Sequence, residues 1–92
     1  MKVFQSRKFS HKVKKFNKSE KSELDKIIKR ILKNHQLGVE KKGDLKGIFI
    51  YKFKIKSVEY LLAYRIKQEN LELIMIGVHE NYYRELKSYI KN

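Results

Sequence analysis

Phe49-Ile50-Tyr51-Lys52-Phe53-Lys54-Ile55 is the segment on which the fold turns. Phe49, Tyr51, Phe53 and Ile55 alternate with Ile50, Lys52 and Lys54, and Lys56 extends the second set. Successive side chains of a strand point to opposite faces, so period two makes this a strand with one apolar and one basic face. Two more strands follow it. Tyr60 to Ile66 comes after a turn at Lys56 to Glu59, and Leu71 to Val78 after a turn at Gln68-Glu69-Asn70. The last is apolar on both faces, which places Leu73 to Val78 in the centre of the sheet.

Upstream the period changes to 3.6. Ser6 is placed to cap a helix in which Phe9, Val13 and Phe16 recur at helical spacing. Asn17 to Ser19 breaks it, and Ser19 with Ser22-Glu23 marks a second start. Leu24, Ile27, Ile28, Ile31 and Leu32 then form one apolar stripe. Asn34 to Gly38 ends this helix, with Gly38 suited to the position after its last residue. Lys2 to Gln5 reads as a short edge strand, and Gly43-Asp44-Leu45-Lys46-Gly47 as a turn. At the other end Tyr82, Leu86, Tyr89 and Ile90 share one side of a closing helix, Tyr82 to Ile90. The order is β-α-α-β-β-β-α, class α+β. It describes a short N-terminal strand and a helical hairpin packed on an antiparallel sheet, then a short C-terminal helix. With helices on one face, Phe49, Tyr51, Phe53 and Ile55 should meet Leu24, Ile27, Ile28 and Ile31. Lys52, Lys54 and Lys56 should line the uncovered face, joined there by Arg65.

The 92 residues make one domain, 1–92, and an apolar fraction of 41% suffices for a modest core. Lys and Arg number 23 against 10 Asp and Glu, a formal charge of +13. Self-repulsion on that scale is relieved by a polyanion or an acidic partner, and nucleic acid is the first candidate. There is no cysteine, hence no disulfide framework and no thiolate zinc site. The N-terminus lacks the apolar run of a signal peptide, and Leu73 to Val78 is too short to span a bilayer, so a cytoplasmic protein is expected. Neither a phosphate-binding glycine loop nor a His-x-x-x-His metal spacing occurs, and no cofactor is expected.

Chemistry concentrates at Gly77-Val78-His79-Glu80-Asn81-Tyr82-Tyr83-Arg84. An imidazole, two phenols and a guanidinium meet where a strand leaves the sheet. RNA cleavage requires such groups: a base for the 2′-hydroxyl proton, a cation for the phosphorane charge and an acid for the departing 5′-oxygen. His79 offers an imidazole for acid or base work, Arg84 offers a planar fork, and Tyr83 can stack or donate a proton. The same residue types also serve as caps at strand-to-helix junctions, and lysine combs also serve as solvated faces; composition alone leaves both pairs of readings open. His11, in a basic helix, and His35, at a helix end, read as structural.

These pieces have a family likeness. Leu45-Lys46-Gly47, Tyr51-Lys52-Phe53-Lys54-Ile55, Tyr60-Leu61-Leu62-Ala63-Tyr64 and, above all, Ile76-Gly77-Val78-His79-Glu80-Asn81-Tyr82-Tyr83-Arg84-Glu85-Leu86 resemble the toxins of the RelE/ParE superfamily of bacterial type II toxin–antitoxin systems. The resemblance spans nearly the whole chain and implies a RelE-like fold. It implies a cognate antitoxin, acidic at its binding segment, through whose complex alone operator DNA is met. It also implies an endoribonuclease, an mRNA interferase that cuts mRNA on the ribosome by metal-independent attack of the 2′-hydroxyl and so inhibits translation. On this likeness Lys52 and Lys54 match basic strand positions, His79 stands where the family has Arg or His, and Tyr83 matches a tyrosine near the C-terminus. Leu61 departs from the pattern, because RelE-like nucleases carry there an arginine that holds the scissile phosphate. Arg65 or Arg84 would have to replace it. The expected catalytic set is therefore His79, Tyr83, Arg84 and Arg65, with Lys52, Lys54 and Lys56 binding RNA. Leu61 also keeps open a ParE-like DNA gyrase poison without nuclease activity, and a member that only binds its antitoxin and operator.

Overall fold

A computed structural model describes residues 1–91. Its elements are β1 (Val3–Gln5), α1 (Arg7–Val13), α2 (Lys18–Lys33), β2 (Val39–Glu40), a 3-10 turn (Gly43–Leu45), β3 (Phe49–Ile55), β4 (Val58–Lys67), β5 (Asn70–Gly77) and α3 (Tyr82–Lys91). Ser6 caps α1 as the sequence suggests, its side chain accepting from the Phe9 amide. The cap of α2 lies two residues before the expected one. Asn17 accepts from the Glu20 amide while the Glu20 carboxylate accepts from the Asn17 amide, a reciprocal box that satisfies two orphan donors.

The sheet runs β1-β5-β4-β3-β2. The three long strands are antiparallel, as expected, but the sheet is mixed, because β1 lies parallel to β5 with Val3 opposite Leu71. The two-residue β2 adds a fifth strand, Val39 opposite Ile50. It is too short to carry a period of its own and forms because β3 offers it a free edge. Gly38 makes that approach possible by close packing, not by ending a helix: a Cβ there would lie 2.9 Å from the Ile50 carbonyl oxygen. Its amide donates to the Tyr64 hydroxyl, which in turn donates to the His35 carbonyl, both at 2.8 Å. One phenol thus clasps the end of α2 to the start of β2, and His35 contributes its backbone.

On one side of the sheet Phe53, Ile55, Leu62, Tyr64, Leu71, Leu73 and Ile76 form a buried core with Phe9, Phe16, Leu24, Ile27 and Ile31; Phe49, Tyr51 and Ile28 pack around it. The expected register therefore holds, and Lys52 and Lys54 are exposed on the opposite side. That side is not uncovered, however. Leu61, Ala63, Ile74 and Met75 make a second core with Tyr82 and Leu86 of α3 and Leu45 and Ile48 of the 3-10 turn region. The helices thus lie on both faces. A bulge in β5 feeds both cores: Ala63 is opposite Met75 whereas Tyr64 is opposite Leu73. The extra residue turns the consecutive Ile74 and Met75 to the same side.

Candidate nucleic-acid site at the start of α3

Strand pairing carries residues to the junction. Lys52 lies opposite Leu61, and Leu61 opposite Gly77, so one row across three strands ends two residues before His79. The chain then turns through Asn81, whose φ of 60° is left-handed, and enters α3. Tyr82 fixes the helix: its buried hydroxyl donates to the Met75 carbonyl at 2.8 Å, and burial pushes the phenol above its ordinary pKa. With Tyr82 held inward, Tyr83 is set on the flank facing β2 and β3. Its ring meets His79 edge-on, centroids 5.9 Å apart, and Tyr82 edge-on at 5.7 Å.

Beside this aromatic group is a hollow of about 370 Å³ between β2, β3 and α3, walled by Leu37, Val39 and Ile50 and rimmed by Lys41, Lys52 and Tyr83. Lys41 is the residue the sequence reading missed. Its Nζ stands 5.2 Å from the Tyr83 ring centroid, a cation–π distance. Its backbone amide donates to the Ile48 carbonyl at 2.8 Å, which fixes where the side chain starts. No period marks Lys41 in the sequence, since it follows a two-residue strand.

The structure brings together Lys52, His79 and Tyr83, and separates the other candidates from them. Lys54 lies one pleat further along β3, opposite Glu59, and Lys56 sits in the β3–β4 turn with φ of 58°. Arg65 was expected to stand in for the arginine missing at Leu61. It is instead ion-paired, through Nε, with the carboxylate of Glu72, its cross-strand partner. It lies four residues, roughly 13 Å along the strand, from the row that leads to His79. Arg84 projects to the other flank of α3, where it shares a hollow with Lys8, Glu85 and Tyr89; neighbouring helix positions point about 100° apart. Leu61 is 1% exposed in the second core, so its side chain presents nothing to a ligand. A further cleft lies between α1 and the end of β5, where His11 joins Lys8, Lys12 and Lys15 opposite Glu80 and Glu85.

Chemically, the junction holds an exposed imidazole, a phenol on its edge and two ammonium groups around a partly apolar hollow. That set can move protons and hold a phosphate. Among the described residues no group of three His, Asp or Glu side chains is placed to hold a metal ion, and no helix is long and apolar enough to cross a membrane.

A family profile described as the ParE-like toxin of type II bacterial toxin–antitoxin systems matches residues 3–87. No curated protein matches by sequence. Among solved structures, a mutant of the Escherichia coli toxin RelE in the free state is similar at a TM-score of 0.70 and 18% identity, covering 98% of this chain and 93% of that one. A chain of the intact E. coli RelBE toxin–antitoxin complex is similar at 0.67 and 18%, covering 85% and 95%. The isolated E. coli RelE toxin is similar at 0.65 and 18%, covering 95% and 96%.

Proposed function

Because this chain belongs to the ParE-like toxins of type II bacterial toxin–antitoxin systems, within the RelE/ParE superfamily, we propose that it arrests growth as an mRNA interferase acting on the ribosome. The observation that carries this reading is the meeting of His79 and Tyr83, rings 5.9 Å apart, beside the hollow that Lys52 rims. In the proposed reaction a 2′-hydroxyl loses its proton and attacks the neighbouring phosphorus. The bond to the 5′-oxygen then breaks, and that oxygen takes a proton. The products are a 2′,3′-cyclic phosphate and a 5′-hydroxyl. His79 and Tyr83 are the groups able to take and give those protons, and the lysines oppose the charge that gathers on phosphorus. Lys54 and Lys56 extend the basic surface along β3 and its turn, for RNA backbone outside the reacting site. An acidic antitoxin is the partner this reading requires, as the +13 charge suggests.

The test is primer extension on cellular mRNA after induction, with wild type and a Lys52→Ala, Lys54→Ala pair. Discrete cuts within codons, weakened in the pair, are expected. A second reading, a gyrase poison with no nuclease, draws on the burial of Leu61, which leaves no cation at that position. Intact mRNA with an SOS response after induction decides for it.

A further inference from the structure

The site described above has one cation, Lys52, that the sequence analysis anticipates, and a pentacoordinate phosphorane carries more charge than one ammonium balances. The other four candidates are elsewhere: Lys54 and Lys56 further along β3 and in its turn, Arg65 held by Glu72, and Arg84 on the far flank of α3. We infer that Lys41 is the second phosphate-holding cation, acting with Lys52 from opposite rims of the hollow on a phosphodiester of single-stranded RNA. This inference rests on the nucleic-acid reading of that hollow.

Three observations carry it. First, Lys41 has no ion-paired carboxylate among the described residues. The ion pairs among the described residues are Lys26 with Glu23 and Arg65 with Glu72, so the Lys41 and Lys52 charges are not cancelled. Lys41 lies instead over the Tyr83 ring at 5.2 Å, a contact weaker than an ammonium–phosphate bond, and it can turn from ring to phosphate without breaking an ion pair. Second, the hollow itself holds no carboxylate. Four other surface hollows each carry one: Glu80 and Glu85 between α1 and β5, Glu40 beside the 3-10 turn, whose rim Lys41 also shares, Glu72 under Phe4, and Glu85 beside Arg84. A phosphate in any of those meets like charge. Third, the position is built. Gly38 lets β2 approach the Ile50 carbonyl, the Tyr64 hydroxyl clasps Gly38, and the Lys41 amide is bonded to Ile48. Lys41 is half-buried, unlike the exposed Lys52 and Lys54. The half-buried Leu37 and buried Ile50 give the hollow an apolar side, which strengthens an ammonium–phosphate contact.

The experiment uses the full chain and a fluorescent, fully 2′-O-methylated RNA oligomer that cannot be cleaved, with affinity measured across a salt series. Variants are Lys41→Met, which keeps the stem and removes the charge, Lys41→Arg, which keeps the charge, and Lys67→Met, a control at the β4–β5 turn. Lys41→Met should weaken binding about ten-fold and reduce the magnitude of the slope of log affinity on log salt by about 0.7, one phosphate contact of a single strand. Lys41→Arg should restore both, and Lys67→Met should change neither. A purely structural Lys41 lowers the melting temperature of Lys41→Met while its salt slope stays at the wild-type value, and that overturns the inference. So do equal losses in Lys41→Met and Lys67→Met, which indicate diffuse charge, and wild-type chain that fails to bind the oligomer. Cleavage on ribosomes is read separately. If the wild type binds the oligomer through Lys41 but leaves mRNA intact, the nuclease reading falls and the Lys41 contact stands.

Discussion

Replacing Tyr82 by Phe removes one oxygen and tests how α3, and with it Tyr83, is held. The ring stays in the second core, where Tyr82 is 2% exposed, so no cavity opens. The hydroxyl's bond to the Met75 carbonyl, 2.8 Å and buried, is lost. A neutral hydrogen bond contributes about 0.5–1.5 kcal/mol net, and a carbonyl left without its partner adds a desolvation cost. The sum is about 1–2 kcal/mol, a fall in melting temperature of about 5–10 °C for a domain of this size. The pH dependence gives a second reading of the same group. Burial raises the Tyr82 pKa in the folded state, so the folded chain binds that proton more tightly than the unfolded chain does. Below the unfolded tyrosine value of about 10 both states are protonated and the full contribution is present. Above it the unfolded state ionises first and wild type loses stability, whereas Tyr82→Phe has no such proton to lose. Thermal melts from pH 7 to 11 should therefore show a gap between the two proteins that narrows above about pH 10. A melting temperature within about 1 °C of wild type, or a gap constant to pH 11, refutes the anchoring argument.

His79→Ala should keep the fold, since His79 is exposed, and lower the single-turnover cleavage rate on programmed ribosomes by about 10²-fold or more; an unchanged rate removes His79 from the reaction. Tyr83→Phe separates two roles in the same assay, because loss identifies the hydroxyl as proton donor and retention identifies the ring as a stacking surface. Arg65→Ala should leave toxicity intact and cost about 1 kcal/mol or less, because its partner Glu72 is part-exposed; relief of toxicity in a folded variant restores Arg65 to the site. Gly38→Ala should cost about 1–3 kcal/mol by chemical denaturation, since a new methyl 2.9 Å from the Ile50 carbonyl forces β2 off β3.

Long periodic segments were legible because one pattern meets one partner. Phe49, Tyr51, Phe53 and Ile55 do face Leu24, Ile27 and Ile31, as period two against period 3.6 requires. The seat of α3 was harder to read, because an amphipathic stripe says that a face is buried and not against what. A signal for it existed: Leu61, Ala63, Ile74 and Met75 needed a cover that the helical hairpin, on the other face, did not supply. The pairing of Arg65 was also countable. Gln68 and Glu69 both have φ above zero, 53° and 65°, forming a two-residue turn. That turn sets Lys67 opposite Asn70 and hence Arg65 opposite Glu72. Three features had no local signal. β2 exists through pairing with β3, the edge strand read at Lys2 to Gln5 takes its parallel direction from distant β5, and Lys41 owes its place to β2. At the site, His79, Tyr83 and Lys52 were legible as residue types. The split between the two flanks of α3, which sends Arg84 away from Tyr83, needed the helix to be docked.

The parallel pairing of β1 with β5 also sets a clock on biosynthesis. Val3 waits for Leu71, and at about 5–20 residues per second the 68 intervening steps take roughly 3–14 s. Until then the nascent α1 and α2 have only part of their floor, Phe53, Ile55, Leu62 and Tyr64, because Leu71, Leu73 and Ile76 complete their core. Ile74 and Met75 join the second core with the same strand, and Tyr82 and Leu86 close it about ten residues later. Both halves of the protein thus lock together at one late event, a high-contact-order step that slows folding. Any truncation upstream of residue 71 leaves a basic, sticky fragment with neither core closed, and no part of the site is assembled before nearly the whole message has been read.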